Sequence, residues 1–80
     1  MTNKELLKRI TKNPEIMGGK AVIRGMRIGV DTILHDLVCG YSFDQIIEQH
    51  PIIDANDIKA CLIYAEEAVE KMNNKVKKSA

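Results

Sequence analysis

Between Asn13 and Val30 the chain reads NPEIMGGKAVIRGMRIGV, a stretch that holds four of its five glycines and one of its two prolines. A helix cannot run through such punctuation, because each interior glycine costs about 1 kcal/mol and each proline about 3 kcal/mol relative to alanine. Only short apolar pieces remain: Ile10-Thr11, Ala21-Val22-Ile23 and Met26-Arg27-Ile28. They are separated by the turn signals Asn13-Pro14, Gly18-Gly19 and Arg24-Gly25. Two apolar runs on either side of Arg-Gly predict a β-hairpin, with Arg24 at a position where such turns favour a positive φ. Residues 10–30 are therefore read as a short β element, and the helices lie after it.

From Asp31 the period changes. Ile33, Leu34, Leu37 and Val38 recur at helical spacing behind Asp31, and Gly40 supplies a left-handed stop, which predicts a helix of about nine residues. Ser42 and Gln45 have the spacing of a capping box, opening a second helix with Phe43, Ile46 and Ile47 on its apolar face and Pro51 at its end. Asp54 and Asp57 suit the positive end of a third helix. Its stripe of Ile58, Cys61, Leu62, Ala65, Val69 and Met72 carries it to about Met72 or Asn73. Residues 1–9 have weak helical potential, and 74–80 form a lysine-rich tail expected to fray. With no internal repeat, the whole of 1–80 reads as one domain with a small core.

Charge is segregated along the chain. Residues 1–30 carry seven cations against two anions, 31–70 one cation against nine anions, and the last ten residues four lysines. If the protein meets a polyanion, its two basic ends supply the affinity. Cys39 and Cys61 stand in apolar-periodic segments outside any C-x-x-C pattern, and no run resembles a signal peptide or membrane span. The expectation is a cytoplasmic protein with reduced thiols and no membrane partner.

Several chemistries are set aside. Met17-Gly18-Gly19-Lys20 lacks the phosphate-loop spacing and has Ala21 where a magnesium-binding hydroxyl belongs. His35 and Cys39 are four apart, but no second ligand pair follows, so no metal is expected. The carboxylates are accounted for by helix starts and solvated faces, and so small a core leaves little room for a deep pocket. Neither an enzyme nor a cofactor is expected.

A short helix, a break of about four to six residues and a longer helix, preceded by another short helix, form the outline of a three-helix helix-turn-helix domain. In such a domain the first turns of the last helix face the major groove. Here that places Asn56 and Lys59 against bases, with Asn56 suited to adenine and Lys59 to guanine or phosphate. Asp54 and Asp57 oppose this by repelling the backbone. Arg9, Lys12, Lys20, Arg24 and Arg27 are the candidates for phosphate or dimer contact. Val22, Arg24, Met26 and Ile28 alternate into a strip expected to exceed what one chain can bury, so Val22, Met26 and Ile28 are read as a homodimer interface.

The segment RITKNPEIMGGKAVIRGMRIGVDTILHDLVCGYSFDQIIEQHPIIDANDIKACLIYA, Arg9 to Ala65, resembles the family known as domain of unknown function 433. The shared features are the block of Pro14, Gly19-Lys20, Gly25 and Arg27-Ile28, the helix ending at Gly40, the Ser42 to Pro51 segment and Asp57-Ile58 to Tyr64-Ala65. Ala21 and Met26 depart from it, standing where the family usually has proline and threonine. The resemblance implies a homeodomain-like helix-turn-helix fold with an N-terminal β element. It also implies an antitoxin of the Vap type that represses its own operon and pairs with a PIN-like ribonuclease toxin. The alternative is a protein-interaction module without DNA affinity, whose acidic middle neutralises a partner protein.

Overall fold

The computed structural model describes residues 1–76, and within them the chain is mainly helical with a two-stranded antiparallel element. The order is α1 (Asn3–Leu7), β1 (Ile10–Thr11), a 3₁₀ turn (Met17–Gly19), β2 (Val22–Ile23), α2 (Val30–Val38), α3 (Phe43–Gln49) and α4 (Ala55–Val76). The helices α2, α3 and α4 each pack on the other two, and α1 lies along α4. Ile23, Val30, Ile33, Ile46, Ile53, Ile58 and Cys61 meet in a single buried cluster, so every helix of the trio and the second strand contribute to one core.

Local chemistry sets the helix ends. At the end of α2, Gly40 adopts φ +92°, its amide donates to the Leu37 carbonyl (3.0 Å) and the Tyr41 amide to the Asp36 carbonyl (3.1 Å). This pair of reversed hydrogen bonds closes the helix where its carbonyls would otherwise go unpaired. The capping box of α3 forms as its spacing predicts: the Gln45 amide donates to Ser42 Oγ (3.1 Å) and the Ser42 amide to Gln45 Oε1 (2.8 Å). A second capping box, between Thr2 and Glu5, opens α1, which the weak apolar period of residues 1–9 did not declare.

The β element forms the expected reversal and adds a partner on its other edge that the sequence did not declare. Arg24 (φ +46°) and Gly25 (φ +70°) do reverse the chain, with the Met26 amide donating to the Ile23 carbonyl (2.8 Å). The ladder of β2, however, is made upstream, with Ile10 opposite Ile23 and Thr11 opposite Val22. Met26 to Gly29 returns along the other edge, where Val22 bridges to Gly29. Val22 is thus flanked on both sides and fully buried.

That burial corrects the expected dimer strip. Val22 is enclosed by its own chain, and Met26 and Ile28 are half-buried against the same core. The strip is covered within one chain because β1 and the start of α2 close over it. A second difference concerns α4, which runs to Val76 rather than to Met72 or Asn73. Its apolar stripe is divided: Ile58 and Cys61 are buried, whereas Leu62, Val69 and Met72 are 41%, 54% and 64% exposed. The lysine-rich tail expected over 74–80 is helical as far as Val76, and 77–80 lie outside the described residues.

Candidate nucleic-acid interface

The helix pair α3 and α4 is joined by residues 50–54, and the first turns of α4 carry Asn56, half-buried, and Lys59, exposed. Beneath them lies an ionic cluster. Asp54 and Asp57 cap α4 reciprocally: the Asp57 amide donates to Asp54 Oδ1 (2.9 Å) and the Asp54 amide to Asp57 Oδ2 (3.0 Å). Asp57 is fully buried, the one charged side chain so placed among the described residues.

Two arginines from distant segments satisfy it. Arg24 donates through Nε to Asp57 Oδ1 (3.1 Å) and through a terminal nitrogen to Oδ2 (2.9 Å), a bidentate clasp. The same terminal nitrogen donates to the Ile52 carbonyl (2.7 Å). Arg9 bridges Asp57 Oδ1 (2.9 Å) and Asp54 Oδ1 (3.0 Å). The Arg24 amide also donates to the Arg9 carbonyl (2.6 Å), tying the two arginines through the backbone. One carboxylate therefore fastens the end of α1, the β2 turn, the α3–α4 connection and the start of α4.

The electrostatics follow from this geometry. Burial pushes the Asp57 carboxyl up, but the hydrogen bonds from Arg24, Arg9 and the Asp54 amide outweigh it and hold the group below the usual carboxylate range. Asp57 in turn holds both guanidiniums above their ordinary value. Two cations and two anions leave the start of α4 close to neutral, which removes the repulsion that Asp54 and Asp57 alone would present to a phosphate backbone.

The sequence candidates consequently separate into groups. Arg9 and Arg24 belong to the Asp57 cluster and hold the fold. Lys20 pairs with Asp31 (2.7 Å), and Lys12 lies over the Tyr64 ring, 5.8 Å from its centroid. These two lysines line a groove between the 3₁₀ turn, α2 and α4. Lys59 lines a different cleft, bounded by Met1, Asn3 and Leu6 of the N-terminal segment. Arg27 is exposed on the β2 turn. Asp57 as the anchor was missed by sequence reasoning: its D-x-x-D spacing signals a cap and nothing more.

The Cys61 thiol is pushed up to about 12 by burial and by the Asp57 charge, which makes it inert. Among the described residues no group of three or more His, Cys, Asp or Glu is placed to hold a metal, and no helix is long and apolar enough to cross a membrane.

Comparison with known proteins places residues 10–65 in a match to the family model described as "Protein of unknown function (DUF433)". The uncharacterized protein y4eO of Sinorhizobium fredii (strain NBRC 101917 / NGR234) is 37% identical over 57 residues, covering 71% of this chain and 26% of that protein. The chain thus spans about a quarter of the length of that curated relative. The crystal structure of a DUF433 member protein from Anabaena variabilis ATCC 29413 superimposes with a TM-score of 0.73 at 27% identity, over 92% of this chain and 73% of that one.

Proposed function

The chain belongs to the DUF433 family, and from that premise we propose that it is a helix-turn-helix DNA-binding protein of homeodomain-like type, acting as an antitoxin-like autoregulator with a PIN-like ribonuclease as its partner. The observation that carries the DNA reading is the neutralised start of α4: Arg9 and Arg24 cancel Asp54 and Asp57 where a recognition helix must approach phosphate. Asn56 and Lys59 on that turn are the base-reading candidates, while Arg27 and Lys12 remain for phosphate. The antitoxin role rests on the family resemblance. No catalytic role is assigned to the chain.

A gel-shift series with the gene's own upstream DNA at two salt concentrations tests the reading. Binding that weakens with salt, and loses sequence preference in Lys59→Ala, is expected. Equal affinity for upstream and random DNA, or none at low salt, would overturn it. The second reading, an interaction module without DNA affinity, is favoured by the uncovered apolar half of α4. Its mark is a protein complex that forms with no gel shift.

A further inference from the structure

Lys59 is not alone on the outward side of α4. Leu62 and Glu66 follow it at spacings of three and four residues, which sets the three side chains in one row along the helix. All three are exposed, whereas Asp57, Ile58 and Cys61 between and before them are buried. The row forms one wall of a cleft of about 430 Å³, and Met1, Asn3 and Leu6 line the other. Leu62 is 41% exposed within it.

A phosphate is poorly served by such a cleft. Glu66 repels it, and the side chains of Leu62 and Leu6 offer it no donor. Base edges meet neither obstacle. Guanine presents acceptors to a lysine, and thymine presents a methyl group that takes an apolar contact. We propose that Leu62 reads a thymine methyl group beside the base contacted by Lys59. Leu62 thereby adds a second base position to the DNA reading given above, on which its role rests.

The helical repeat fits this assignment. Three residues advance about 4.5 Å along a helix axis, and successive bases on one strand are about 3.4 Å apart. A helix lying along the groove therefore sets Lys59 and Leu62 over neighbouring base pairs. The major groove, about 12 Å wide, admits one helix, and the row from Lys59 to Glu66 is the face of α4 turned from the core. Val69, also exposed on α4, lines no part of this cleft.

Gel shifts with the upstream DNA, made once with thymidine and once with deoxyuridine throughout, test the proposal, because deoxyuridine keeps the pairing and lacks only the methyl group. The wild type is expected to bind the thymidine duplex about fourfold more tightly, the worth of burying one methyl-sized group. Leu62→Ala and Leu62→Gln are both expected to bind the two duplexes equally. Leu62→Gln keeps the length of the side chain at an exposed helical position, and an unchanged urea midpoint establishes that either variant is folded. Val69→Ala, outside the cleft, should retain the fourfold preference. Equal binding of both duplexes by the wild type, or a preference that persists undiminished in the folded Leu62 variants, overturns the proposal and leaves the DNA reading standing. No shift with either duplex overturns the DNA reading and, with it, the role of Leu62.

Discussion

A carboxylate taken wholly out of water is costly unless each oxygen is met, and Asp57 is met by two guanidiniums and an amide. Removing the carboxylate takes three charge-assisted hydrogen bonds and part of the cap of α4 from the fold, while the two arginines, 21% and 42% exposed, keep access to water. Asp57→Ala is therefore expected to cost about 1.5–3 kcal/mol, the usual worth of hydrogen bonds to a charged group, measured as a lower midpoint in urea unfolding. The acid limb of stability has the same origin. The folded-state carboxyl is held below its ordinary value of 3.8, so its contribution is complete above that value and is lost as pH falls through the lowered one. Stability of the wild type should drop across that acidic window, while Asp57→Asn, already weaker at neutral pH, should show a shallower drop. Equal slopes would show that Asp57 is not the group responsible. The cap at Asp54 and Asp57 is legible in the sequence because its donors lie three residues apart. The arginines are not, since they come from 33 and 48 positions away and only the folded chain brings them together.

Elements bounded by their own side chains are the legible ones. The Ser42–Gln45 spacing and Gly40 mark the start of α3 and the end of α2 without reference to the rest of the chain. The Thr2–Glu5 spacing carries the same signature for α1, but a helix of five residues is too short for its apolar period to confirm it. The strands resist reading for a different reason: β1 and β2 have two residues each, too few for any alternation, and the chain returns from one to the other through residues 12–21 and the 3₁₀ turn rather than through a tight hairpin signal. Arg24 tolerates its left-handed backbone because its side chain is clasped at the far end, a compensation that no local rule contains. Gly40 has no such compensation. With φ +92° and open space around the site of a Cβ, Gly40→Ala meets only the backbone penalty. The expected loss is about 1–2 kcal/mol, read as a lower thermal midpoint with no change in fold. Gly40→Asn, which tolerates the left-handed region better, should recover part of it.

Across the whole molecule, the segregation of charge along the sequence only partly survives folding. Residues 1–30 carry seven cations, but Arg9 and Arg24 are turned inward to Asp57 and Lys20 is paired with Asp31. A count from sequence therefore overstates the charge that the N-terminal half can offer a polyanion. The same folding covers the β strip and shifts the uncovered apolar surface to the second half of α4, where a continuous stripe gives no sequence signal of where the body ends. For DNA binding the consequence is measurable in the salt dependence. Each phosphate neutralised adds about 0.9 to the slope of log affinity against log salt. Arg27, exposed and outside the ion pairs found among the described residues, is expected to lower the slope by about one when changed to alanine, with stability unchanged. Arg24→Ala should behave in the opposite way. It leaves the slope near its wild-type value at temperatures where the variant is folded, and it lowers the urea midpoint because Asp57 loses its bidentate partner. Titrations of both variants at several salt concentrations separate a cation that meets phosphate from one that holds the helix presenting it. A slope that falls equally in the two would return Arg24 to the DNA surface.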